Sequence, residues 1–153
     1  MKASKAAFDI IKKYETLKLE VYLDPVGLPT IGWGHLITGD EDFPRKITRL
    51  EADALLDDDV LTAEDDVNRL VDVELNQKQY DALVSFVFNI GGSSLAESRN
   101  TLRIINSGDY KNVPAAMRTW CKGRKNGKLI KLAGLVRRRA EESALFEAGN
   151  REM

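Results

Sequence analysis

The stretch Leu17-Lys18-Leu19-Glu20-Val21-Tyr22-Leu23-Asp24-Pro25-Val26-Gly27-Leu28-Pro29-Thr30-Ile31-Gly32-Trp33-Gly34 decides how the chain is read. Leu17, Leu19, Val21 and Leu23 recur at every second position, the period of a half-buried strand. Asp24-Pro25-Val26-Gly27 then supplies turn chemistry: Pro fixes one φ and Gly accepts a positive one. Thr30-Ile31-Gly32-Trp33-Gly34 is the return strand. The segment from 17 to 38 is thus a small antiparallel hairpin set into a chain whose other periodicities are helical.

Before it, Ala6, Ala7, Ile10, Ile11 and Tyr14 fall at helical spacing and predict a first helix over 3–14. After it, Thr48 and Glu51 form a capping box that opens a long amphipathic helix over about 48–71. Its stripe is Leu56, Val60, Ala63, Val67, Leu70 and Val71, with Asp57 to Asp59 and Glu64 to Asp66 expected to face water. Asn76 caps the next helix, in which Tyr80, Leu83, Val84, Val87 and Phe88 share one face and Phe86 and Ile90 fill the other. A helix apolar nearly all round belongs at the centre of a domain. Gly91-Gly92 ends it. Short helices are expected near 98–107 and 113–121, then a loop with Gly123, Asn126 and Gly127, then a last helix over 134–148 closed by Gly149.

The fold class is therefore α+β: a β-rich lobe over about 15–45, a long connecting helix over 48–71, and a larger helical lobe over about 72–150. A cleft between two such lobes is where a ligand binds. The 153 residues make one domain's worth of chain. A composition of 43% hydrophobic and 31% charged residues excludes disordered and collagenous classes. Cys121 is the only cysteine, which excludes a disulfide scaffold and suits a reducing compartment. No stretch has the order of a signal peptide or the length of a membrane span, so a soluble protein without an export signal is expected.

Net charge is −1 but unevenly spread. Residues 40–74 hold 13 acids and 4 bases, whereas residues 118–139 hold nine bases and no acid. The basic segment is either a solvated face or a contact for an anionic partner.

Several chemistries lack their residues. One histidine, His35, and one cysteine are too few for a Cys/His zinc site, and no nucleophile elbow accompanies His35. Gly32-Trp33-Gly34 lacks the third glycine of a dinucleotide fingerprint. No cofactor or metal is expected. Carboxylate chemistry remains. Glu15 stands where the first helix gives way to the hairpin, beside Tyr14, Leu17 and Leu19, and an apolar junction favours the protonated form that a general acid needs. Asp24 sits on the polar turn, where a carboxylate stays ionised, and Thr30 enters the return strand with a hydroxyl able to share a water. Two carboxyls in different environments are what glycosidic cleavage requires.

Tyr14-Glu15-Thr16, the hairpin that follows, and Gly34-His35 resemble the phage-type lysozymes, the endolysins of glycoside hydrolase family 24. The likeness continues in Phe86-Val87-Phe88-Asn89-Ile90-Gly91-Gly92, in Leu102 to Tyr110, and in Gly134-Leu135-Val136-Arg137-Arg138-Arg139 with Glu142. It implies a lysozyme-like fold with the active site between the lobes, and a muramidase cutting the β-1,4 bond between N-acetylmuramic acid and N-acetylglucosamine of bacterial peptidoglycan. By position, Glu15, Asp24 and Thr30 become the catalytic set: Glu15 protonates the leaving oxygen, and Asp24 with Thr30 holds the attacking water. A basic residue of the last helix, Arg137 or Arg138, would steady Glu15. The resemblance also implies a monomer that waits in the host cytoplasm and reaches the cell wall through a holin. The chain departs from the family at Thr16, where glycine is common, at Trp33, where tyrosine is commoner, and at Ser98 to Leu102.

On the residues alone, three alternatives stand beside this reading. A muramidase fold that binds peptidoglycan without cutting it would not need the Glu15, Asp24 and Thr30 set. A lytic transglycosylase would use one acid and make an anhydro product. The 118–139 run could serve nucleic acid or an anionic membrane, although no nucleic-acid motif accompanies it, and contact with an acidic envelope is the favoured role. His35 is expected to pair with an acid of the following helix, and Trp33, Tyr22 and Trp120 to pack.

Overall fold

The computed structural model describes residues 1–153. Helix α1 (Lys5–Glu15) leads into a three-stranded antiparallel sheet of β1 (Lys18–Leu23), β2 (Pro29–Gly32) and β3 (His35–Leu36), in that order. Helices α2 (Arg49–Leu70), α3 (Gln77–Ile90), α4 (Gly92–Glu97), α5 (Thr101–Asn106) and α6 (Val113–Arg118) follow. A second sheet of β4 (Lys122–Lys125) and β5 (Lys128–Lys131) precedes α7 (Ala133–Asn150). No helix is long and apolar enough to cross a membrane.

Helices α2 and α3 start where their capping residues predict. Thr48 and Glu51 make reciprocal side-chain to backbone bonds at the head of α2, and Asn76 and Gln79 do the same for α3. Gln79 to Val87 are all buried, so α3 is the central helix, packed between α1, α2 and α7. The apolar core runs without a break from Ile31, Trp33 and Ile47, through Leu56 and Val60, to Leu83, Phe86 and Phe146. Each buried Leu, Ile or Phe in it contributes roughly 1.5–3 kcal/mol.

The hairpin forms as expected, but its faces differ from the simple alternation. A register shift between Lys18 and Tyr22 marks a bulge in β1. Leu17 and Leu19 turn inward, whereas Val21 and Leu23 are exposed and Tyr22 takes the inward place. β1 uses two more residues than β2 between the Lys18–Gly32 and Tyr22–Thr30 pairs, and the irregular stretch lets the alternation resume on the other phase beyond it.

Other expectations need correction. Glu64 is buried rather than solvated: its Oε2 accepts the Ala3 amide at 2.5 Å. Asp81 accepts the Ser4 amide at 2.8 Å and the Ser4 hydroxyl, so two buried carboxylates hold the head of α1. Gly92 opens α4 instead of only ending α3. It lies so close to Asp66 that a Cβ there would collide with the carboxylate. The loop expected around Asn126 is the β4–β5 hairpin, with Asn126 and Gly127 both at positive φ in its turn. Gly149 lies inside α7, which runs on to Asn150.

Candidate active site

Glu15 is the last residue of α1, and Thr16 turns the chain into β1 with φ 48°. That left-handed value is costly for a β-branched residue and easy for the glycine common in the resembling family. Two contacts then fix the Glu15 side chain, which is 20% exposed. The guanidinium of Arg138, on α7, donates to Oε2 at 2.5 Å. Gly34, just before β3, lies against the carboxylate so closely that no Cβ fits there. The junction is therefore not merely apolar, as the neighbouring sequence suggests. An arginine more than a hundred residues further along the chain forms an ion pair with it. Arg137, the other candidate, is exposed.

Arg138 is itself held. Its side chain is 3% exposed; Nε donates to Glu142 Oε2 at 3.1 Å and Nη2 to the Ser85 carbonyl at 3.2 Å. The Ser85 hydroxyl donates to the same Glu142 oxygen at 2.6 Å. Arg139 lies 2.8 Å from the other Glu142 oxygen and donates to Asn89 Oδ1 at 2.7 Å. Burial lowers the Arg139 pKa below the usual guanidinium range despite the Glu142 charge beside it. Glu15, Arg138, Glu142 and Arg139 thus alternate in sign along a buried chain of contacts.

Asp24 follows β1. Its Oδ1 accepts the amides of Val26 at 2.9 Å and Leu28 at 2.8 Å, which fixes the carboxylate on the turn. Thr30, in β2, is buried, and its hydroxyl donates to the Leu28 carbonyl at 2.9 Å. Its oxygen therefore stays free to accept. Tyr22 lies opposite Thr30 in the sheet. Its hydroxyl is pushed to higher pKa by burial first, then by the negative charges of Glu15 and Asp24. Tyr22 therefore lies within the fields of both carboxylates, a place the sequence reading assigned to packing.

His35 pairs as expected with an acid of the next long helix. Nδ1 lies 2.8 Å from Asp59 Oδ2 and Nε2 lies 2.9 Å from Glu41 Oε2. Burial opposes charge on the ring, but the bonds to Asp59 and Glu41 outweigh it and raise its pKa. Trp33 is in the core with its indole N–H on Asp53 at 2.8 Å. Trp120 packs edge-on against Phe86 and donates to Thr101 at 2.9 Å. A cleft of about 350 Å³ opens between Gly34, His35 and Leu36 on the sheet side and Asp59, Ala63 and Phe88 on the helices. Gly34 links its wall to Glu15. A second groove of about 370 Å³ near Met1 and Tyr80 has Glu74 as its only carboxylate. No group of three or more His, Cys, Asp or Glu side chains is placed to hold a metal ion.

Residues 12–142 match the sequence model of the phage lysozyme family. The chain belongs to that family. It is 38% identical over 148 residues to an endolysin of Acyrthosiphon pisum secondary endosymbiont phage 1, covering 97% of this chain and 99% of that one. It is also 38% identical to the endolysin of Salmonella phage P22, covering 95% and 98%. Against the endolysin of Bacillus phage PZA, also 38% identical, it covers 97% of itself but 56% of that protein. The muramidase domain of SpmX from Asticaccaulis excentricus superposes with a TM-score of 0.83 at 41% identity, covering 95% and 97% of the two chains. An endolysin from Escherichia coli O157:H7 phage FAHEc1 gives 0.86 at 34% identity, covering 95% and 93%. This phage lysozyme is accordingly a hydrolase of lysozyme type with the fold its sequence predicts.

Proposed function

We propose that this lysozyme cleaves the β-1,4 bond between N-acetylmuramic acid and N-acetylglucosamine in bacterial peptidoglycan, with Glu15 as general acid and Asp24 and Thr30 holding the water. The reading rests on one arrangement: a carboxyl group paired with Arg138 and packed against Gly34, which belongs to the cleft wall. Arg138 occupies Oε2 of Glu15 and leaves Oε1 to carry the proton given to the leaving oxygen. Asp24 uses Oδ1 on the turn amides, so Oδ2 is free to accept from a water. The Thr30 oxygen accepts the other proton of that water, because its own hydrogen is committed to Leu28. Attack from the face opposite the acid inverts the anomeric carbon. In this reading the chain acts as a single catalytic unit and a monomer, and it reaches the wall through a holin.

Product analysis on purified peptidoglycan, comparing the protein with Glu15→Gln, tests this. New reducing-end muramic acid that disappears in the variant is the expected result. Anhydro ends would assign a lytic transglycosylase instead, and wall binding without released fragments would assign a non-cutting binder.

A further inference from the structure

The β4–β5 hairpin carries Lys122, Arg124, Lys125, Lys128 and Lys131, and none of the five makes an ion pair or a side-chain hydrogen bond within the protein. Its register sets Lys122 opposite Lys131 and Lys125 opposite Lys128. Side chains directly opposite in an antiparallel pair have Cβ atoms about 5 Å apart, so like charges there oppose the pairing. A two-stranded sheet is marginal to begin with. This hairpin is thus built against its own electrostatics, a conflict that a layer of negative charge resolves.

The two faces differ. Gly123 sits against the Leu132 side chain, which leaves no room for a Cβ, so the face of Gly123 and Ile130 turns toward the body. The opposite face carries Lys122, Arg124 and Lys131 around Leu129, which is 59% exposed. Three cations around an exposed leucine do not suit a soluble polyanion, which would leave the leucine wet. They suit a bilayer surface, where phosphates meet the cations and the leucine enters the headgroup region.

We propose that this face docks the enzyme on bilayers containing anionic phospholipid. The proposal is independent of which residues cut the glycan. It is tested by co-sedimentation of the full chain with vesicles of phosphatidylglycerol and phosphatidylethanolamine, with phosphatidylcholine vesicles as the neutral comparison. Binding to the anionic vesicles alone is expected. Each base near such a surface is worth about a factor of five, so the triple variant Lys122→Gln, Arg124→Gln, Lys131→Gln should bind about 100-fold more weakly. Leu129→Ser keeps every charge and should still cost about tenfold. Both variants should melt no lower than the parent, the triple variant being relieved of the Lys122–Lys131 repulsion, and both should release fragments from soluble wall material at the parental rate. Absence of binding to anionic vesicles overturns the proposal. So does vesicle binding that Leu129→Ser leaves unchanged and soluble polyphosphate competes away, which would mark a site for a soluble polyanion.

Discussion

Gly34→Ala adds one methyl group to a residue with no side chain of its own, and should disable the enzyme through Glu15. A Cβ built at Gly34 lies 2.8 Å from Glu15 Cδ and 3.2 Å from Cγ. Ordinary carbon contacts begin near 3.5 Å, so the carboxyl group must retreat by about 0.7 Å or more. It is not free to do so: Oε2 is held at 2.5 Å by an arginine whose side chain is 3% exposed. Misplacing a reacting group by about 1 Å costs about 100-fold in rate, equivalent to about 2.7 kcal/mol of activation free energy.

The substitution also strains the backbone, because Gly34 has φ +74°. Gly108→Ala separates the two effects: its φ is +78° and nothing lies within 4 Å of its Cβ position. Both variants should lose about 1–2 kcal/mol of stability from the left-handed backbone. Gly34→Ala alone should lose the activity, measured as initial release of reducing ends from purified peptidoglycan at a temperature where both remain folded. A folded Gly34→Ala protein within threefold of the parental rate would refute the placement of Glu15.

Three further outcomes follow from other residues. Thr16→Gly should relieve the φ 48° turn after Glu15 and, after the entropy cost of glycine, gain about 1 kcal/mol, a rise of roughly 2–4 °C in melting temperature; a fall would show that the turn is unstrained. Glu142→Gln leaves Arg138 and Arg139 buried without their shared anion and should cost about 3–5 kcal/mol, read in a urea titration; a loss below 1 kcal/mol would mean that the two arginines find other partners. His35 has a raised pKa, so its contribution to stability is whole below about pH 6.5 and fades as pH rises through the folded value. Glu41, whose pKa is lowered by the Thr38 amide first and His35 next, contributes above about pH 4.5 and fades as pH falls. Burial raises the Asp59 pKa even though His35 opposes the shift, so the pair's gain resides on the imidazole side. Stability measured against pH should therefore peak between about pH 4.5 and 6.5 in the parent relative to His35→Asn, and two parallel curves would contradict this.

Local chemistry made much of the fold legible. Thr48 with Glu51 announces α2 and Asn76 announces α3, because capping works within one turn of consecutive residues; that Gln79 completes a second capping box is seen only in the structure. The Asp24-to-Gly27 turn announces the first hairpin for the same reason. The bulge in β1 escaped because no residue there differs from those of a regular strand, and only pairing with β2 reveals the shift. The β4–β5 hairpin was also missed, although Asn126-Gly127 is a strong turn signal. Its strands, Lys-Gly-Arg-Lys and Lys-Leu-Ile-Lys, carry no alternation, since both faces are largely wet. Within the proposed site, Glu15, Asp24 and Thr30 are named by the motif alone, and the structure adds what holds each of them. Tyr22 and Gly34 were not readable, because their roles depend on what faces them. Arg138 was narrowed to one of two residues, and burial chose between them.

The cost of the Glu15 surroundings is itself an argument for their use. Glu15 ends a helix, where the last carbonyls already carry partial negative charge and a carboxylate is disfavoured. Arg138 offsets that field, yet burying a guanidinium is expensive and calls for Glu142, and Glu142 in turn calls for Arg139 and the Ser85 hydroxyl. Apolar side chains of the same volume would pack α3 against α7 at least as stably. Elsewhere the buried charges are the carboxylates Glu64 and Asp81, which accept backbone amides at the head of α1, and the long run from Ile31 to Phe146 is aliphatic and aromatic. The charged chain is confined to the path that ends at Glu15, and what it supplies there is a fixed position. Arg138 cannot swing into solvent without giving up Glu142 Oε2 and the Ser85 carbonyl as well as Glu15. The carboxyl group that it grips is therefore placed before any substrate arrives.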